Sequence, residues 1–259
     1  MGPPNSIDTF LRTCIGLVVI PIGLAFYSSA AILRALRGAP VARVHRCYVA
    51  FARLCVRVAG TELMLRGADR IAPGQSYVVV ANHESTWDPV CVVTALPDLL
   101  LRFVAKGQLM RIPIFGRALA LTGNVRVERT QTAGNVSRIR EGMGRRDPSV
   151  SVLFFAEGTR SRAGAFRPFR MGAFATALAS GLPVLPIAVA GTYAIWPKGT
   201  LRLARRPVAI EVGEPISSAG LTFEDRGALR DRTHAAMGEL RASARRRLRA
   251  SGNEPGGID

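Results

Sequence analysis

From Thr13 to Leu33 the chain runs for 21 residues without a charged side chain. That is long enough for one helix to cross a bilayer core, which takes about 20 apolar residues. Pro21 falls in the middle of the run, and the residues before it carry Asp8 and Arg12 with no net positive charge, unlike a cleavable signal peptide. From Val41 to Val58, the residues Val44, Cys47, Tyr48, Phe51, Leu54, Cys55 and Val58 recur at helical spacing. Arg43, Arg46, Arg53 and Arg57 cluster on another face. A basic amphipathic helix directly after an apolar one predicts an anchor attracted to an anionic bilayer surface. If the first helix spans, the arginines after it place the rest of the chain on the cytoplasmic side of the cytoplasmic membrane.

Beyond Gly60 the pattern changes to short apolar, β-branched runs alternating with helix-compatible stretches. Ser76 to Ala81, Ser151 to Phe155, Val184 to Val189 and Pro207 to Val212 read as strands. Pro89 to Ala95, Ala133 to Met143 and Met171 to Ser180 read as helices between them. Thr222 to Ala250 reads as a long arginine-rich helix with apolar contacts at Phe223, Leu229, Met237, Leu240 and Leu248. This order predicts an α/β fold, a mixed sheet flanked by helices, with an N-terminal helical membrane anchor. The expected division is an anchor over residues 1–59, one domain over 60–250 and a flexible tail over 251–259.

Composition narrows the partners. Thirty-five basic side chains against 18 acidic ones give a formal charge of +17, and only Lys106 and Lys198 among the basic residues are lysines. Such a balance favours anionic partners: a membrane surface, a phosphorylated substrate or nucleic acid. The 48% apolar share excludes a disordered chain. Four cysteines without metal-ligand spacing and three histidines point to no metal site. Aromatics at 7%, with no RNA-binding aromatic motif or helix-turn-helix signature, argue against nucleic acid.

Two segments carry chemistry, and each follows a predicted strand, where α/β proteins place functional loops. In Asn82-His83-Glu84-Ser85-Thr86-Trp87-Asp88, a carboxylate five residues after a histidine can accept one imidazole N–H and leave the other nitrogen to take a proton. Positions five apart do not share a helix face, so the pair requires a turn between them. In Phe155-Ala156-Glu157-Gly158-Thr159-Arg160-Ser161-Arg162, a glycine turn is surrounded by hydroxyl and guanidinium donors, a combination suited to a phosphate oxyanion.

Together these segments resemble the glycerolipid acyltransferases, and among them the 1-acylglycerol-3-phosphate (lysophosphatidic acid) acyltransferases. Two further blocks match in order: Gly123-Asn124-Val125-Arg126-Val127-Glu128-Arg129 and Leu182-Pro183-Val184-Leu185-Pro186-Ile187. The resemblance covers roughly Gly60 to Pro215. It implies an O-acyltransferase domain moving a fatty acyl group from acyl-CoA or acyl-acyl carrier protein to the free hydroxyl of 1-acylglycerol 3-phosphate, giving phosphatidic acid without cofactor or metal. His83 would be the general base and Asp88 its orienting carboxylate. Gly123, Arg129, Glu157, Gly158, Thr159 and Arg160 would form the acceptor-phosphate region, and Lys106 would contact phosphate. Ala156 stands where the family usually has proline. Arg126 stands where an apolar residue is usual, and Glu128 adds another charge, which bears on the acceptor headgroup. Alternative readings are an acyltransferase for another lyso-lipid, such as a lyso-ornithine lipid or a lysophospholipid, and, more remotely, a non-catalytic lipid-binding or basic nucleic-acid-binding protein.

Overall fold

Strands apolar on both faces belong in the interior of a parallel sheet, covered by helices on each side. In the computed structural model, which describes residues 6–128, 138–139, 141–144, 147–160, 166–197 and 199–252, the most apolar runs take that place. The strands are β1 (Leu63–Arg66), β2 (Val78–Ala81), β3 (Leu101–Lys106), β4 (Val125–Val127), β5 (Ser151–Phe155), β6 (Val184–Ala190) and β7 (Val208–Val212). They form one sheet in the order β1-β7-β6-β2-β5-β3-β4. Every neighbouring pair is parallel except β6 and β7, so the sheet is mixed, as expected. All residues of β2, β6 and β7 are buried.

Helices cover both faces. One face packs against α2 (Val41–Ala59) and α3 (Asp88–Ala95), with Val49, Ala52, Cys55, Cys91 and Val92 in a core shared with Val79, Leu153 and Ile187. The other packs against α5 (Gly172–Ser180) and α6 (Arg226–Ala250) through Phe174, Leu229 and Met237. An ion pair of 2.8 Å between Arg247 and the buried Glu211 ties α6 to β7. The remaining helices are α1 (Ser6–Leu36), which packs on α2, and α4 (Phe115–Leu121), which packs on α1.

Two expectations change here. The helix α2 does not lay its apolar face on a bilayer: that face joins the main core, while Arg43, Arg46, Arg53 and Arg57 remain exposed. The expected break at 59/60 is therefore a change of sequence pattern within continuous packing. By contrast α1 stays largely uncovered, continues through Pro21, and is long and apolar enough to cross a membrane by length and composition. The strands β1, β3 and β4 and the helix α4 escaped the sequence reading; all four have seven residues or fewer with an arginine inside them, and β4 has only three residues. Of the helix expected over Ala133–Met143, residues 138–139 and 141–143 are helical and the rest lies outside the described residues, as does the tail from 253 onward.

One turn is strained. Ile114 holds φ 63° and ψ −58°, the only non-glycine at positive φ among the described residues, and the Phe115 N–H bonds across it to the Pro113 carbonyl at 2.6 Å. A γ-turn of this hand is rare, and a β-branched centre is disfavoured by about 1–3 kcal/mol. Asparagine tolerates positive φ better. Ile114→Asn is expected to raise the melting temperature of detergent-solubilised protein by about 2–4 °C, the shift that about 1 kcal/mol gives at this size. A drop in a thermal melt would show that the side chain's packing outweighs the strain.

Candidate active site

The site forms at the C-terminal ends of β2, β5 and β3, three adjacent parallel strands. Past the end of β2, the side chain of Asn82 takes over the ladder: its Nδ2 donates to the Val189 carbonyl at 2.8 Å and its Oδ1 accepts the Val189 N–H at 2.8 Å. This fully buried amide holds β2 and β6 together for one more step and fixes where the following turn begins. Residues 83–87 are not helical, and helix α3 starts at Asp88. The turn required between the histidine and the carboxylate is present.

That turn folds around the carboxylate. Asp88 is fully buried. Its Oδ2 lies 2.7 Å from His83 Nδ1 and accepts the backbone N–H groups of Glu84 and Ser85 at 2.8 and 2.9 Å. Its Oδ1 accepts the hydroxyl of Thr192, which stands just after β6. A carboxylate only accepts, so Nδ1 carries a hydrogen, which in the neutral imidazole puts the lone pair on Nε2. The imidazole also stacks on Phe155, with ring centroids 4.1 Å apart and planes 22° from parallel. Both its hydrogen bond and its wall are thereby set before any substrate arrives.

Glu157 turns both its oxygens to the backbone. It is buried; Oε1 accepts the backbone N–H of His83 at 2.9 Å and Oε2 faces that of Arg167 at 3.4 Å. Burial raises its pKa, opposed by those two hydrogen bonds. A carboxylate with both oxygens on the backbone ties the β5 loop to the β2 loop and repels rather than binds a phosphate. Gly158 does make the turn, at φ 69°, where an added Cβ would run into the side chain of Arg170. Thr159 and Arg160 follow it half-buried, and Lys106 stands exposed at the end of β3. By register Lys106 is level with Ala156, so it lies on the same edge of the sheet as His83. Arg129 and Arg162 lie outside the described residues.

Gly123 is not brought to this edge. It precedes β4 and is level with Arg102 and Val152 by register. From His83 it is about 16 Å down the strand direction and about 14 Å across three strand spacings. There it lines a separate cavity of about 480 Å³ with Arg102, Asn124 and Arg138. The two unexpected charges of its block pair with each other, Arg126 Nε to Glu128 Oε1 at 2.7 Å.

Behind the turn lies a group of charges that the sequence reading missed. Glu84 is buried and faces Arg241 and Arg245 of α6, with each Nη2 3.6 Å from its Oε1. Burial and the nearby Asp88 push the Glu84 carboxyl up to about 7, against the opposing pull of the two arginines. Arg241 also lies over the Phe166 ring at 5.3 Å and acts electrostatically on Glu157. Thr192 was missed too; its only sequence signal is its place immediately after a strand and a glycine.

Comparison with known proteins supports the family. Residues 62–190 match the family described as Acyltransferase. The chain is 32% identical over 179 residues to human 1-acyl-sn-glycerol-3-phosphate acyltransferase alpha, covering 69% of this chain and 63% of that one. It is 28% identical over 172 residues to the 1-acyl-sn-glycerol-3-phosphate acyltransferase of Limnanthes douglasii, covering 66% of this chain and 60% of that one. The matches thus span about three fifths of these relatives' length. The crystal structure of the 1-acyl-sn-glycerophosphate (LPA) acyltransferase PlsC from Thermotoga maritima has the same fold, with a TM-score of 0.75, 24% identity, and coverage of 91% of this chain and 97% of that one. Its parallel strands, the turn built on His83 and Asp88, and the sequence match over residues 62–190 agree: this chain belongs to the acyltransferase family.

Proposed function

We propose that this chain is a membrane-associated O-acyltransferase that transfers a fatty acyl group from a thioester donor to the free hydroxyl of 1-acylglycerol 3-phosphate, giving phosphatidic acid. The observation that carries this reading is the 2.7 Å contact between His83 Nδ1 and a buried Asp88 that also accepts three further hydrogen bonds. The names of the relatives supply the acceptor class.

The acceptor hydroxyl attacks the thioester carbonyl while His83 Nε2 takes its proton. The C–O bond forms, the tetrahedral centre collapses with cleavage of the C–S bond, and the imidazolium returns the proton to the departing thiolate. A thioester is already activated, so this route passes through no acyl-enzyme. General-base assistance of this kind contributes about 10²–10⁴ in rate. Lys106, Thr159 and Arg160 hold the acceptor phosphate and so keep the hydroxyl beside the base, a positioning effect. Acyl-CoA and acyl carrier protein both suit the basic surface as donors. The uncovered apolar helix α1 supports attachment to the cytoplasmic membrane, and the arginines after it favour the cytoplasmic side.

Acyl transfer from long-chain acyl-CoA to 1-acylglycerol 3-phosphate in detergent tests the reading. His83→Ala is expected to lower turnover by about 10³-fold while the melting temperature is kept; full activity would overturn the mechanism. If wild type is inactive with this acceptor but acylates a lyso-ornithine lipid or another lysophospholipid, the acceptor assignment fails and the chemistry stands. Thr192→Val removes one hydrogen bond to the orienting carboxylate and is expected to cost about tenfold in kcat with little change in KM. Thr192→Ser should restore most of it.

Glu84 generates a stability prediction. Its folded pKa of about 7 lies above the ordinary 4.5, so its contribution is present at low pH and is lost as pH rises through 7. The loss is on the order of 3 kcal/mol for a shift of this size. Wild-type melting temperature is therefore expected to fall between pH 5 and pH 8, and Glu84→Gln to fall less steeply. Parallel curves for the two proteins would refute the assignment.

A further inference from the structure

The segment between β3 and α4 presents its apolar residues outward. Leu109, Ile112 and Ile114 are 40%, 39% and 44% exposed within six residues. The γ-turn at Ile114 holds them there, because a glycine-tight contact between Gly116 and the Met110 backbone folds the segment back on the start of α4. Exposed cations flank the apolar tip: Lys106 before it, Arg111 within it and Arg117 after it. From Leu99 to Val127 the sequence contains no acidic residue, and the carboxylate of Glu128, which lies against Gly107 at the root of the loop, pairs with Arg126.

This tip leads directly into α4, which packs on α1. The helix α4 packs along α1, and Ala120 and Leu121 share a cavity wall with Ala35 and Ala39, so the two helices end side by side. Helix α1 itself leaves Phe26 and Ile22 65% and 63% exposed. Monomeric soluble proteins rarely expose an apolar patch of this extent, and an apolar tip ringed by arginine is the composition of a surface that sits among anionic headgroups. The same loop begins at Lys106, on the edge of the sheet where His83 stands.

We propose that residues 107–114 form a second membrane-inserting element, which enters an anionic bilayer beside α1 and sets the mouth of the active site at the headgroup level. This rests on the reading of the chain as membrane-associated. Insertion by α1 alone leaves rotation about its axis undetermined; a second point of contact on the same face fixes which edge of the sheet meets the lipid. The arginines pair with lipid phosphates while Leu109, Ile112 and Ile114 lie just below them.

The test uses the full chain with vesicles of phosphatidylethanolamine and phosphatidylglycerol, part of the lipid being brominated midway along the acyl chain. Ile112→Trp adds a fluorescent reporter to the background of Trp87 and Trp196. Because an interfacial segment sits about 5–10 Å below the boundary, the added emission is expected to fall roughly twofold on brominated vesicles. An unquenched reporter on protein that still floats with the vesicles overturns loop insertion and leaves attachment through α1 intact. Wild type that does not float overturns both. As a second measurement, Leu109→Asp with Ile112→Asp is expected to lower acylation of lipid presented in vesicles about tenfold, while activity on detergent-dispersed lipid stays within about twofold. An equal loss in both formats would assign the loop to the interior of the fold and overturn the proposal.

Discussion

The buried carboxylate of Asp88 organises the rest of the site. A carboxylate removed from water must be given hydrogen bonds in return, and here they come from three parts of the chain: the imidazole of His83, the backbone of the turn, and Thr192 beyond β6. Satisfying one anion therefore folds the turn, selects the imidazole tautomer and joins β2 to β6 in a single arrangement. Asn82 and Glu157 extend this outward, one through the β6 backbone and the other through the N–H of His83. The imidazole is oriented by a network whose members are mostly backbone groups, which leaves little freedom for the ring.

A second layer of charge lies on the far side of that turn. Glu84 lies in the turn and Glu157 bonds to its backbone, and Arg241 and Arg245 of α6 offset part of the cost of burying two acids near a third. Helix α6 lies outside the stretch of residues 62–190 that matches the family, yet its arginines border the most constrained part of it. The fold and the site are thus joined electrostatically as well as by packing.

Much of this was legible from the chain. The strands buried on both faces announce themselves as short apolar β-branched runs, and β5 begins and ends where its pattern predicts. The histidine and aspartate were readable because their spacing demands a turn, and a turn after a strand is a functional address. What escaped depends on distance. Thr192 is 104 residues from Asp88, and nothing local to it marks a hydroxyl aimed at a distant carboxylate. The contacts of Glu157 were hidden for the same reason: that its carboxylate meets the backbone of His83, 74 residues away, is decided only by folding. Gly123 sits in a block that falls between the His83 and Glu157 segments in sequence, but β4 joins the sheet at its edge, three strands from the strand that leads into His83. Helix α2 shows that an amphipathic pattern specifies a buried stripe without naming what buries it; here the protein's own core does so.

The arrangement of His83, the glycine turn and Lys106 on the ends of three neighbouring parallel strands has a consequence for how such a site can diversify. Their lateral spacing is that of a hydrogen-bonded ladder, about 4.8 Å per strand, and changes in side-chain size do not alter it. The loops that leave those strands, in contrast, are connected to the ladder only at their roots. Loop length and composition can therefore drift, admitting a broader or narrower headgroup, while the reacting atoms remain on a frame of constant pitch. In the proposed reading, chemistry rests on the ladder and recognition on the loops, so the two are inherited through different parts of the backbone.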